Sequence, residues 1–195
     1  LYSSGTFEYL VMYGRRRVGK TTILQEFSKG KNAVFYSAQL KNDTLNLEEF
    51  SRIVQLHFDK MFISPFQSWS DAFVYISRKA LERTVVIIDE FPFIADSNPS
   101  VKSILQHTID HDWKNNNNLF LILCGSSVSF METDVMGSKS PLHDRQTSSL
   151  EILPFDYFES SLFFPDYTNE EKLLAYGILG GIPRYLEAFD GNLTI

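Results

Sequence analysis

Apolar residues follow two different rhythms in this sequence. Nearly unbroken runs, rich in β-branched and aromatic side chains, occupy residues 7–13, 33–38, 85–88 and 119–124. Runs of that length and type predict strands, and one apolar at every position predicts a strand covered on both faces. A shorter run, residues 149–153, is stopped by Pro154 and predicts a fifth strand. Between these runs apolar positions recur every three or four residues, the spacing of a helix with one buried face. This holds over residues 22–27 and over 47–62, where Phe50, Ile53, Val54, Leu56, Phe58, Met61 and Phe62 carry the pattern. It holds again over 69–81, with Phe73, Ile76 and Leu81 on or near one face, and over 101–109, which Pro99 is placed to open. Four asparagines, residues 115–118, predict a loop.

Strand and helix therefore alternate over residues 1–154, which predicts an α/β fold in three layers: a parallel five-stranded sheet with helices on both faces. Right-handed crossovers place a ligand site at the carboxyl ends of the strands. From residue 155 the strand rhythm stops. Residues 157–163, 169–179 and 184–189 read as short helices separated by turns at Pro165 and Gly180-Gly181, so residues 155–195 are expected to form a small helical lid.

Composition narrows the picture. The net charge of −6 argues against a general nucleic-acid-binding surface, which would be basic. With 17 Phe and 9 Tyr the core is expected to be bulky. Cys124 is the only cysteine, so no disulfide can form within the chain and a reducing, cytoplasmic compartment is expected. No stretch reaches the roughly 18 apolar residues of a membrane helix, so no membrane partner is expected. The chain opens on Leu1 rather than Met, and it is expected to be part of a longer polypeptide.

The first two elements flank the most informative motif. Gly14-Arg15-Arg16-Arg17-Val18-Gly19-Lys20-Thr21, followed by Thr22, reads G-x-x-x-x-G-K-T, the phosphate-binding P-loop, set between a strand and a helix as that motif requires. Gly14 and Gly19 allow the backbone to turn with its N–H groups inward, where they and the helix dipole hold phosphates. Lys20 adds a cation, and the Thr21 hydroxyl can ligate Mg²⁺. The whole segment from Gly14 to Thr22, with Val18 inside it, is the candidate nucleotide cradle.

A partner motif closes the third run: four apolar residues deliver Asp89 and Glu90 to a strand end. Asp89 is the candidate Mg²⁺ carboxylate and Glu90 the candidate general base aimed at water. Ser126, after Gly125 at the end of the fourth run, is placed to reach the γ-phosphate or the lytic water. His107 and His111 stand four apart on a helix, but without a third ligand they read as a solvated helix end; Cys124 reads as a small buried hydrophobe.

Four stretches together resemble the archaeal-type ATPase family, within the additional-strand, catalytic-glutamate class of P-loop ATPases that includes AAA+ and STAND proteins. They are Tyr13 through Thr22; Ile87-Ile88-Asp89-Glu90-Phe91-Pro92; Leu123-Cys124-Gly125-Ser126-Ser127; and Gly180-Gly181-Ile182-Pro183-Arg184-Tyr185-Leu186. The resemblance implies a sheet order of 5-1-4-3-2, a helical lid after the fifth strand, and a winged-helix region beyond Ile195. It implies Pro183 against the nucleotide base and Arg184 as a γ-phosphate sensor. It also places Arg145, in Pro141-Leu142-His143-Asp144-Arg145, as an arginine finger for a neighbouring subunit, the alternative being a surface arginine paired with Asp144 or Glu151. The chain departs from the family in lacking an Arg-Glu segment before Tyr9 and in carrying Asp144 where a glycine is usual.

The expected function is Mg²⁺-dependent ATP binding and hydrolysis that drives conformational change. The alternative is a slow switch holding ATP or ADP, acting on a protein or DNA through regions outside this chain; a homo-oligomer fits either. A P-loop kinase fits less well, because Glu90 suits hydrolysis.

Overall fold

In the computed structural model, which describes residues 1–189, five strands pair in parallel. They are β1 (Glu8–Tyr13), β2 (Ala33–Ser37), β3 (Thr84–Asp89), β4 (Leu119–Gly125) and β5 (Ser148–Glu151). Their order is β2-β3-β4-β1-β5, which read from the opposite edge is the expected 5-1-4-3-2. Every residue of β3 and β4 is buried, as their unbroken apolar sequences require of central strands, whereas β5 is an exposed edge.

Period-two alternation divides the core into two layers. Tyr9, Val11, Val86, Ile88, Leu121 and Leu123 point to one face. There they meet α2 (Asp43–Asp59), α3 (Trp69–Lys79), α4 (Phe91–Ser97) and α5 (Val101–His111). This layer is aromatic: the ring centroids of Phe50 and Trp69 lie 5.1 Å apart and those of Phe73 and Trp113 5.6 Å apart. Leu10, Met12, Val85, Ile87, Phe120 and Ile122 point to the other face, where α1 (Lys20–Ser28) contributes Leu24.

Register sets the functional edge. Tyr13 pairs with Gly125 and with Glu151, and Ile88 pairs with Leu123. The carboxyl ends of β1, β3 and β4 therefore finish level, and everything that follows them leaves the sheet along one rim.

Helix boundaries depart from the apolar spacing where caps decide them. α2 starts at Asp43 rather than 47, because the Asn42 side chain accepts the Leu45 N–H, and it ends at Asp59 with Lys60 left-handed. α3 starts after the Ser68 cap and stops at Lys79, which leaves Leu81 exposed rather than on the buried face. Pro99 lies in the turn before the Ser100 cap and does not itself open α5. The apolar pattern gave no sign of α4, which follows Glu90 immediately and is only seven residues long. After β4 a single turn, α6 (Val128–Phe130), runs into a π-helical turn, Met131–Val135.

After β5, where a lid is expected, come three short helices, α7 (Tyr157–Ser161), α8 (Asn169–Leu179) and α9 (Pro183–Ala188), the first two each started by a capping box, Asp156 with Glu159 and Thr168 with Glu171. They have a small core of their own around Phe164, Ala175 and Leu186. Residues 190–195, the end of the expected lid, lie outside the described residues. The lid's two ends are tied together where the Phe155 N–H donates to the Gly181 carbonyl at 2.8 Å. A Cβ at Gly181 would lie 1.7 Å from the Phe155 carbonyl oxygen, so only glycine fits there. No helix among the described residues is long and apolar enough to cross a membrane.

Candidate functional site

The rim of the sheet gathers the residues that the sequence scatters. At the end of β1, Gly14 has φ +151°, and a Cβ there would lie 2.2 Å from the Ile152 carbonyl oxygen. The segment after β5 is thus pressed against the start of the P-loop, and the Ile152 N–H donates to the Tyr13 carbonyl at 2.7 Å. Arg17 (φ 70°) and Gly19 (φ 95°) turn the loop back through the left-handed region. Gly19 caps α1 without a side chain, and no acid stands in the first turn, so the helix N-terminus presents its N–H groups and dipole to the cleft. That is an anion cradle.

Lys20 begins α1 almost fully buried. Its Nζ donates to the carbonyls of Gly14 at 2.7 Å and Arg15 at 2.8 Å, so the loop and its cation brace each other. Burial lowers the Lys20 pKa; the nearby Cys124, Glu90 and Asp89 oppose that shift.

Beside it Thr21 Oγ1 donates to Asp89 Oδ2 at 2.7 Å, and Asp89 Oδ1 accepts the Glu90 N–H at 3.0 Å. Asp89 is 1% exposed. A buried carboxylate with a hydroxyl against it at the mouth of a phosphate cradle is a donor set that fits a hard oxygen-seeking cation such as Mg²⁺. Glu90 takes φ 53°, a left-handed conformation rare for a residue with a side chain, at the sharp turn from β3 into α4. Its carboxylate accepts the Ser126 hydroxyl, and the Ser126 N–H at 3.3 Å. Gly125 makes this approach feasible: a Cβ there would lie 2.6 Å from Met131 Sδ and 3.0 Å from Pro92 Cδ. Cys124 is fully buried, and burial together with Asp89 pushes its thiol pKa far up, as befits a packing residue.

Lys20, Thr21, Glu90 and Ser126 line one end of a cleft of about 880 Å³, which Arg16, Arg17, Val18, Gly19 and Thr22 share, whereas Asp89 is buried behind Thr21 and does not line it. Its other end is apolar, with Ile152, Leu153, Phe155, Phe163 and Pro183. Pro183 and Arg184, at the start of α9, also line the cleft, as does Glu187. Arg17 Nη1 lies 3.4 Å from the Tyr185 hydroxyl and its guanidinium 5.6 Å from the Tyr185 ring centroid, so the P-loop touches the lid directly. The apolar wall of Ile152, Leu153, Phe155 and Phe163 was not legible as a site. In sequence it is a strand end and a proline stop, and only the closures at Gly14 and Gly181 carry it to the cleft.

Other expected residues stand elsewhere. Gly14 and Arg15 serve the site through their carbonyls and do not line the cleft. Arg145 does not line it either. Its guanidinium is paired with Asp110 on α5, Nη2 to Oδ2 at 2.7 Å and Nε to both oxygens at 3.1 Å, and Nη1 donates to the His143 carbonyl at 3.0 Å. The partner is neither Asp144 nor Glu151. Asp110 is on the helix that also carries His107 and His111, and sequence distance hid the pairing. Among the described residues no cluster of three or more His, Cys, Asp or Glu could hold a metal ion unaided.

The hydrogen bonds from Arg145 hold the Asp110 carboxyl below its ordinary range. A carboxyl pKa lowered by folding contributes stability above its unfolded value, lost as pH falls through the folded one. Both side chains are about a quarter exposed, so screening discounts the pair. Arg145→Ala is expected to lower stability by about 1 kcal/mol at neutral pH. The gap should shrink as pH drops through the acid range. Urea titration at several pH values checks this; an unchanged midpoint would show the pair to be inert.

A P-loop after β1, an acid pair after β3 and a polar residue after the strand between them define a P-loop NTPase fold. Residues 1–189 match the model of an ATPase domain found predominantly in Archaea, and the chain belongs to that family. It is 36% identical over 184 residues to an uncharacterized protein of Methanocaldococcus jannaschii, MJECL04, covering 94% of this chain and 40% of that relative. The chain thus spans less than half the length of the relative. Among solved structures it resembles the Walker-type ATPase PABY2304 of Pyrococcus abyssi (TM-score 0.59, 20% identity, 91% of this chain and 60% of that one). It also resembles the Orc1 protein of Aeropyrum pernix, solved in complex with DNA (TM-score 0.59, 15% identity, 92% and 52%). A third likeness is to Cdc6p of Pyrobaculum aerophilum (TM-score 0.58, 12% identity, 90% and 49%). At these identities the likeness is one of fold.

Proposed function

We propose that this chain binds ATP with Mg²⁺ and hydrolyses it, and that the state of the bound nucleotide sets the position of the lid. The observation that supports the reading is the chain of contacts Thr21–Asp89–Glu90–Ser126 beside the P-loop, which brings two carboxylates and two hydroxyls together on one rim. The N–H groups of the P-loop, with Lys20, Arg16 and Arg17, hold the phosphates. Arg184 approaches them from α9, and the apolar wall with Pro183 takes the base. Thr21 and Asp89 would hold Mg²⁺, which when bound neutralises phosphate charge. Glu90 takes a proton from the attacking water, and Ser126 orients its carboxylate.

A second reading is a slow switch with little turnover. The Asp110 grip on Arg145 favours it, because a finger already paired must leave that partner before it can serve a neighbour. In either case the DNA or protein partner, and any homo-oligomer, would involve regions beyond this chain. Cytoplasmic residence fits the single buried thiol.

Thermal unfolding with ATP and Mg²⁺, set beside steady-state phosphate release, tests the proposal. Saturation at about a hundredfold over Kd should raise the midpoint by roughly 5–10 °C. No shift would sink nucleotide binding; a shift without phosphate release would select the switch.

A further inference from the structure

Helix α8 is apolar on two sides. Ala175 and Leu179 face the lid's own core. On the opposite side Leu173, Leu174 and Ile178 are 62%, 53% and 67% exposed. Residues 170, 174, 177 and 178 share one face at helical spacing, with Leu173 beside them. A soluble helix that is apolar all round is normally buried all round. Two further large apolar side chains stand exposed on the neighbouring helix and at its end. Phe158 and Leu162, four residues apart, are 75% and 79% exposed, and Tyr157 bridges the helices with its ring 5.4 Å from Phe158 and 5.9 Å from Tyr176.

An independent feature lies in the middle of that stripe. Gly177 costs helix stability relative to other residues, and no contact within the fold asks for it: a Cβ there would meet nothing within 4 Å. A glycine in open space on an apolar helix face suits the close approach of another backbone.

Charge selects the kind of partner. Asp156, Glu159, Asp166, Glu170 and Glu171 stand on these two helices and the link between them, against Lys172 alone. A second copy applied face to face would bring like charges together, and an anionic membrane or a nucleic acid would be repelled. We infer that the outer face of α7 and α8 is a docking surface for an amphipathic helix with basic flanks, crossing over Gly177 and covering Leu173, Leu174 and Ile178. This surface is distinct from the nucleotide cleft and does not depend on turnover.

The probe is a fluorescein-labelled synthetic helix with a leucine and alanine stripe flanked by lysines, titrated into the full chain and followed by anisotropy. Saturable binding is expected, weakened about tenfold or more by Leu174→Asp and by raising NaCl from 50 to 500 mM. Gly177→Gln is the decisive variant. It should raise the melting midpoint by roughly 1–2 °C, because glutamine is the better helix former, and still weaken the probe several-fold. Equal binding by the parent and Leu174→Asp, or equal binding of a probe with glutamine flanks, would overturn the inference. So would a concentration-dependent dimer in sedimentation velocity that Leu174→Asp abolishes while the probe fails to bind, since the occupant would then be a second copy.

Discussion

Lys20→Ala should all but abolish nucleotide binding while leaving the protein folded. The ammonium is the buried cation of the cradle, and each charge-assisted hydrogen bond that it gives a phosphate is worth about 1.5–3 kcal/mol. Losing two such bonds lowers affinity by at least about a hundredfold. The fold should survive, because the loop is shaped by its backbone: Gly14 packs under Ile152, and Arg17 and Gly19 supply the left-handed turns. The lost contacts to the Gly14 and Arg15 carbonyls are offset by no longer burying a charge, and the net change in stability should stay within about 1 kcal/mol. Calorimetry with ATP and Mg²⁺, beside circular dichroism, makes the check. Unchanged affinity would remove the phosphate cradle from the account.

Glu90→Gln should bind ATP as the parent does and hydrolyse it at least about a hundred times more slowly. The amide keeps the size of the side chain and can still accept the Ser126 N–H, but it cannot take up a proton from water. Asp89→Asn should behave differently. It can keep a hydrogen bond to Thr21 but removes the carboxylate charge, and so weakens the dependence of binding on Mg²⁺, a dependence that Glu90→Gln leaves intact. Single-turnover hydrolysis and Mg²⁺ titrations of both variants separate the roles. If Glu90→Gln turned over at the parent rate, the glutamate would serve only the turn into α4.

Much of this could be read from the sequence because the signals were local. The strands at 85–88 and 119–124 were apolar at every position, and both proved central. The P-loop and the Asp89-Glu90 pair are defined by neighbours in sequence, so the polar end of the candidate site was visible at once. What escaped depends on contacts between distant segments. The apolar wall needs Ile152 against Gly14 and Phe155 against Gly181, pairs 138 and 26 residues apart in the numbering. Arg145 found Asp110 across 35 residues, where the sequence offered nearer acids. Helix ends were misjudged for the opposite reason: the caps at Asn42 and Ser68 are local, but they act through one hydrogen bond each and leave no mark on apolar spacing.

The close approach of Ile152 to Gly14 makes the segment after β5 a lever. Its near end bonds to Tyr13 at the root of the P-loop, and three residues on, Phe155 bonds to Gly181 at the root of α9. Neither end has room for a methyl group. If nucleotide state sets the position of the lid, as proposed, this stretch is the shortest backbone route by which a rotation of the lid would reach the carbonyl of Ile152, where the P-loop begins. On that proposal, mechanical work done on the lid from outside would be felt at the phosphates, and tightening around the phosphates at the lid, through one short stretch of backbone.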